Sequence, residues 1–257
     1  MIFGLFKKKK TAKAPLRAVS MTDTGLERGN NEDHLLVRSD LGIFCVADGM
    51  GGGADGEKAS QIVCAEIAMM VRQQPPEFAT RMESVCNAVI DANNAIYDYS
   101  KLKGLGQMGT TVSILVFDPD NPLQAAICHV GDSRIYRFRR GELRQLTRDH
   151  SVAAEIGRKL GSEFGDRSNP LAHVLTRAVG TGDKVNPDWK KISVEPGDRY
   201  LLCTDGVHDL LDATAIAGFL AIPSAEDVRR AVAAAVVGGG AHDNYSFIIV
   251  DVEASCC

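Results

Sequence analysis

Short, densely apolar runs alternate along this chain with longer stretches of helical period. Ile43-Phe44-Cys45-Val46-Ala47 is apolar throughout and stops at Asp48-Gly49-Met50-Gly51-Gly52-Gly53. A run this short and this apolar predicts a buried strand. The glycines after it let the backbone turn sharply and approach a ligand. Leu201-Leu202-Cys203-Thr204-Asp205-Gly206 repeats the arrangement, and Ile127-Cys128-His129-Val130-Gly131-Asp132-Ser133-Arg134 approximates it. Asp243-Asn244 lies just ahead of Phe247-Ile248-Ile249-Val250. Further strands are expected at 16–21, from 35, over 109–117, 134–139 and 190–194, and at the end of the chain to 252.

From Ala54 the period changes. Ala59, Ile62, Val63, Ile67, Met70 and Val71 share one helical face, and Pro75-Pro76 closes that helix. Val85, Val89, Ala92, Ile96 and Tyr99 mark a second helix. Two more are predicted near 214–220 and 225–236, the last stopped by Gly238-Gly239-Gly240. These stripes face a core and carry no chemistry of their own. Asp118-Pro119-Asp120-Asn121-Pro122 reads as a turn, so 109–139 is expected to form an antiparallel meander. Over 149–170 the pattern fails among small and charged residues, predicting either a flap over a site or a plain surface excursion. Runs of strands interrupted by paired helices predict an α+β fold rather than alternating βαβ units. One domain is expected over 15–253, with short tails at 1–14 and 254–257.

Composition narrows the class. The chain has 257 residues, 45% of them hydrophobic and 24% charged, with a formal net charge of -4. That is ordinary for a globular protein and gives no broad basic face for nucleic acid. The cysteines sit mostly inside apolar runs and form no C-x-x-C pair, which suits a reducing cytoplasm. No apolar run approaches the ~20 residues of a membrane-spanning helix. Phe3, Leu5 and Phe6 precede a run of lysines, Lys7 to Lys10. Residues 1–10 therefore read as a disordered basic tail, or as a weak contact with an anionic membrane surface.

Aspartates that follow apolar runs far apart in sequence can converge at one end of a sheet. Asp48, Asp132, Asp205 and Asp243 then offer oxygen ligands, with the Gly49 carbonyl beside them. Such a set suits Mg²⁺ or Mn²⁺ rather than zinc. The polar loop Gly25-Leu26-Glu27-Arg28-Gly29-Asn30-Asn31-Glu32-Asp33 presents an arginine and two adjacent acids. A guanidinium matches the oxygens of a phosphate; its bland alternative is an ion pair with Glu32 or Asp33.

Read in order, Arg28-Gly29-Asn30-Asn31-Glu32-Asp33, Asp48-Gly49-Met50-Gly51-Gly52, Gly109-Thr110-Thr111 and Gly131-Asp132-Ser133-Arg134 resemble the metal-dependent serine/threonine protein phosphatases of the type 2C family, in their bacterial form. Leu146-Thr147-Arg148-Asp149-His150-Ser151, Leu175-Thr176-Arg177-Ala178-Val179-Gly180, Thr204-Asp205-Gly206-Val207 and Asp243-Asn244 continue the resemblance over nearly the whole chain. It implies an αββα sandwich of two antiparallel sheets flanked by helix pairs, with a flap segment near the site. It also implies hydrolysis of phosphoserine and phosphothreonine in proteins by a metal-bound water or hydroxide.

The implied roles are residue-specific. Asp48 bridges two Mn²⁺ or Mg²⁺ ions, Gly49 gives its carbonyl to one, and Asp205 and Asp243 complete the other's shell. Asp132 with Asp205 holds a third, weaker ion. Glu32 acts through a water, Asp33 supports it, and Arg28 grips the phosphate. Asn244, Asp209 and His150 are supporting residues. Phosphorylated protein substrates and a cognate Ser/Thr kinase follow from the same reading; a cytoplasmic monomer is expected, with a membrane-peripheral location as the alternative left by the basic tail. A phosphopeptide-binding module without activity and a hydrolase of small phosphate esters remain as alternatives on the same fold. The chain departs from the family where relatives carry a histidine: Met50 and Gly53 stand there, and neither donates a proton. A water, with His150 as side-chain contributor, is the expected donor.

Overall fold

The computed structural model describes residues 16–52, 54–73, 78–106, 108–119, 121, 123–160 and 170–253. The basic tail at 1–14, Gly53, residues 161–169 of the expected flap and the tail at 254–257 lie outside the described residues. In chain order the elements are β1 (Leu16–Asp23), β2 (Asp33–Arg38), β3 (Ile43–Met50), α1 (Ala54–Gln73), α2 (Phe78–Lys103), β4 (Gly109–Thr110), β5 (Val112–Phe117) and β6 (Gln124–Val130). There follow β7 (Arg134–Arg139), β8 (Glu142–Gln145), α3 (Val152–Leu160), a 3-10 turn (Pro170–His173), β9 (Asp188–Ser193), β10 (Arg199–Cys203), α4 (Asp205–His208), α5 (Ala213–Leu220), α6 (Ala225–Gly238) and β11 (Tyr245–Val252).

The strands form two antiparallel sheets. One runs β1-β11-β10-β7-β8; the other runs β2-β3-β5-β6-β9, with β4 paired to the end of β3. The apolar runs are continuous because both faces of the central strands are covered. Along β3, Ile43, Cys45 and Ala47 face α1 and α2, packing with Val63, Ile67, Val89 and Ile96. Phe44 and Val46 point the other way, between the sheets, with Leu115, Tyr200, Leu202 and Ile248. On the far side Leu201, Cys203, Phe247 and Ile249 meet α5 and α6 through Ile216, Val228 and Val232. Side chains alternate across a strand, so a strand serving two cores must be apolar at every position. Phe44, Phe117 and Tyr200 stack edge-to-face across the middle core, with centroids 6.0 and 5.8 Å apart. The helix–sheet–sheet–helix layering matches the α+β sandwich that the resemblance implies.

Two expectations need correction. Residues 109–139 are not a single meander: β5 and β6 pair in one sheet, but β7 pairs with β10 and β8 in the other. The turn at Gly131-Asp132-Ser133 carries the chain between sheets, because β6 is apolar on both faces while β7 alternates with arginines. The weak segment also contains α3, which places Ala153 in a buried position. No helix among the described residues is long and apolar enough to cross a membrane.

Candidate metal centre and catalytic cleft

Each expected aspartate sits where a buried strand ends. Asp48 lies near the end of β3, and its register partner on β2 is Asp33. The Asp48 amide donates to Thr111 Oγ1 at 3.1 Å, and its carbonyl accepts from the Thr111 amide at 2.8 Å and the Thr110 hydroxyl at 2.8 Å. Asp205 opens α4 directly after β10, and Asp132 occupies the turn between β6 and β7. Asp243 precedes β11. Gly49 and Gly206 are required by close approach: a Cβ on Gly49 would lie 2.1 Å from the Gly56 carbonyl, and one on Gly206 2.0 Å from that of Asn244. In both Asp-Gly pairs the missing side chain lets a second backbone press against the carboxylate's own turn.

The acids and the arginine line one open cleft of about 720 Å³, whose walls include Arg28, Glu32, Asp48, Asp132, Asp205 and Asp243. Burial pushes the Asp48, Asp132 and Asp205 carboxyls above their ordinary range, and repulsion from Asp205 adds to it at Asp48 and Asp132. Asp48 and Asp205 are close enough to share a hydrogen bond. Asp33 is driven up to about 7, again chiefly by burial. Its Oδ2 accepts from Thr204 Oγ1 at 2.9 Å, whereas Oδ1 is enclosed without a hydrogen-bond partner. Acids crowded in this way hold protons unless a cation replaces them. An oxygen-only donor set with an orphaned buried oxygen beside it fits a hard divalent ion, Mg²⁺ or Mn²⁺.

Asn244 ties the first loop to this floor. Its Nδ2 donates to the carbonyls of Thr24 at 2.8 Å and Asn30 at 2.9 Å, and its Oδ1 accepts from the Glu32 amide at 2.8 Å. The Glu32 carboxylate packs against Gly56 at the start of α1, where the helix dipole favours an anion. Arg28 pairs with neither Glu32 nor Asp33. Its Nη2 donates to Asp243 Oδ2 at 2.8 Å, and both side chains are about half exposed at 54% and 41%.

A model of the family described as protein phosphatase 2C matches residues 27–234. The chain belongs to that family. Two phosphatase 2C relatives place it among bacterial members. It is 35% identical over 243 residues to the serine/threonine protein phosphatase PstP of Mycobacterium tuberculosis, covering 92% of this chain and 45% of the relative. It is 30% identical over 241 residues to the protein phosphatase PhpP of Streptococcus pneumoniae, covering 91% and 96%. The chain thus spans under half the length of PstP and nearly all of PhpP. Among solved structures, the M. tuberculosis PstP phosphatase superposes with a TM-score of 0.85 at 32% identity, over 93% of this chain and 99% of that one. A PstP catalytic domain in complex with two manganese ions gives 0.82 at 32% identity, over 93% and 99%.

The histidines do not fall where the family resemblance suggests. His150 is 2% exposed and does not line the cleft. Its Nδ1 accepts from the Gly131 amide at 3.1 Å, its Nε2 is 3.3 Å from Asp188 Oδ2, and its ring lies 4.7 Å from His129. Burial pushes His150 down and His129 further, to about 4. The expectation of His150 as proton contributor is therefore corrected. It braces the crossover turn that carries Asp132, and a buried neutral imidazole there has no path to a substrate. Arg134 and Asp149, both from matched motifs, pair with each other at 2.6 Å and fasten that turn to the segment after β8.

Sequence reasoning missed two contributors to this phosphatase 2C cleft. Thr111 belongs to a matched motif but carries no role in the sequence reading, yet its hydroxyl holds the Asp48 amide and lies 2.7 Å from Ser133 Oγ. His173, at the end of the 3-10 turn, also lines the cleft. No periodicity or motif marks it; only the return of the chain after α3 brings it there.

Proposed function

We propose that this protein hydrolyses phosphoserine and phosphothreonine in proteins, using Mn²⁺ or Mg²⁺ held in the cleft, and that it opposes a Ser/Thr kinase. The convergence of Asp48, Asp205 and Asp243 beneath an arginine carries the reading. Asp48, Asp205 and Asp243, with the Gly49 carbonyl, would hold two ions, and Asp132 with Asp205 a third. Bound there, the cations neutralise the phosphate dianion and make water a nucleophile at neutral pH.

The chain's own groups supply the rest. Arg28 holds Asp243 in this structure; with Asp243 committed to a cation, the guanidinium fork is released to phosphate oxygens. Glu32, fixed through its amide by Asn244 and through its carbonyl by Ser60, orients the attacking water. Asp33, enclosed beneath it, keeps Thr204 and the end of β10 in place. Loss of the cation-holding aspartates would have favoured a binding module without activity, and all of them are present.

Phosphate release from a phosphothreonine peptide tests the proposal. Wild-type protein with Mn²⁺ should release phosphate, while EDTA and Asp48→Asn should each abolish release. Phosphatase activity confined to small phosphate esters, with none on the peptide, would overturn the substrate class.

A further inference from the structure

Cleavage of an alkyl phosphate leaves a basic alkoxide, which departs slowly unless a proton meets it. General acid catalysis of this kind is typically worth ~10²–10⁴-fold. Met50, which lines the cleft, has no proton to give. Arginines keep theirs, and under the function proposed above the cleft aspartates are committed to cations. Among the described residues lining the cleft, His173 is the one imidazole.

Its surroundings fit a donor. The His173 side chain is 52% exposed, and Nδ1 lies 3.4 Å from Asp209 Oδ2. The other oxygen of Asp209 lies 3.3 Å from Nδ1 of His208, a buried ring whose Nε2 faces the Asp132 carbonyl at 3.2 Å. Asp209 thus lies between two imidazoles, its carboxylate beside Nδ1 of His173. Nε2 is the ring's other proton-carrying position. His173 also lines an adjoining cavity of about 410 Å³ with Arg28, Asp205, Asp209, His242 and Asp243. In-line displacement puts the leaving oxygen opposite the attacking water. Water attacks from the carboxylate floor, so the leaving oxygen faces the mouth, where a half-exposed ring stands.

We propose that His173, oriented by Asp209, is the general acid that protonates the departing serine or threonine oxygen. The water releases one proton to solvent, and its oxygen bonds to phosphorus. The bond from phosphorus to the substrate oxygen breaks, with its electron pair going to that oxygen, which takes the proton from His173 Nε2. The products are the alcohol and inorganic phosphate, and solvent returns a proton to the neutral imidazole. The assignment rests on the phosphatase reading.

The same groups also define the competing role. One ligand atom each from His173, Asp205 and Asp209 lie within 4.8 Å of one another, so the imidazole could bind a cation instead, and a bound imidazole donates no proton.

The test compares the full-length wild type with His173→Gln, in Mn²⁺, on a phosphothreonine peptide and on aryl phosphates of graded leaving-group acidity. The variant's turnover on peptide should fall ~10²-fold or more with KM little changed, and much less on p-nitrophenyl phosphate. Its rates should depend more steeply on leaving-group acidity. Asp209→Asn should move the ratio in the same direction by a smaller factor. His242→Gln should keep the wild-type ratio, because His242 pairs with Glu27 at 2.6 Å outside the main cleft. An equal fall on both substrates, or weaker Mn²⁺ binding by His173→Gln in calorimetry, would make His173 a cation ligand and overturn the proposal. Unchanged peptide turnover would remove it from the chemistry. A wild type that releases no phosphate from peptide would sink the phosphatase reading and this one with it.

Discussion

Asp205 joins the two parts of the centre: it reaches Asp48 on one side and lies near His173 and Asp209 on the other. Removing its carboxylate should therefore cost more than removing Asp132. Asp205→Ala is expected to lower peptide turnover by at least about 10²-fold while circular dichroism stays native. Asp132→Ala should also lose turnover but keep tight Mn²⁺ binding in calorimetric titration, since the core ligands remain. Loss of the tight sites would place Asp132 in the core set instead. Gly206 tests the backbone beneath. A methyl group there meets the Asn244 carbonyl, so Gly206→Ala should destabilise the fold by about 1–3 kcal/mol in a urea titration and weaken Mn²⁺ binding together.

At the scale of elements, the site is a set of loop ends pinned to rigid strands. The loop bearing Arg28 and Glu32 is fastened by the Asn244 side chain ahead of β11, by Ser60 Oγ on the Glu32 carbonyl, and by the Leu26 amide on the Ala241 carbonyl at 2.8 Å. Asn244→Ala removes hydrogen bonds to Thr24, Asn30 and Glu32 at once. It should cost about 1–3 kcal/mol in stability and raise KM for phosphopeptide more than it lowers kcat, because Arg28 loses its position. A fall in kcat alone would show that Asn244 serves the metal floor rather than the loop. The crossover turn at Asp132 is pinned in the same manner, by His150 on the Gly131 amide and by Arg134 on Asp149.

For the molecule as a whole, the acid cluster links stability to pH and cation. Folding raises the pKa of Asp33 and of the cleft aspartates above their unfolded values. The cation-free protein therefore binds more protons folded than unfolded, and loses stability as pH rises from the unfolded carboxylate range through about 7, the value for Asp33. A divalent ion takes the place of those protons. Mn²⁺ should raise the unfolding midpoint, by about 2.7 kcal/mol equivalent at a hundredfold excess over Kd. The increment should be larger at about pH 8 than at about pH 5.5, where protons compete. Scanning calorimetry with Mn²⁺ or EDTA checks this, and a larger increment at the lower pH would contradict it.

The sequence alone determined most of the strands, the main helices and the acids proposed to hold cations, for a local reason. A strand buried on both faces is written as an unbroken apolar run, and an aspartate followed by glycine at its end is visible without coordinates. The tertiary structure decided what depends on the path between those ends. Asp132 lies at a crossover because β6 and β7 belong to different sheets that meet at the middle core, a choice set by packing rather than by any local signal. His150 sits in a motif, yet the same crossover buries it against Gly131 and Asp188. His173 sits in no motif, yet the chain's return after α3 places it at the cleft beside Asp209. Which imidazole meets the substrate is fixed by where folding brings distant segments together, and neither periodicity nor spacing records that.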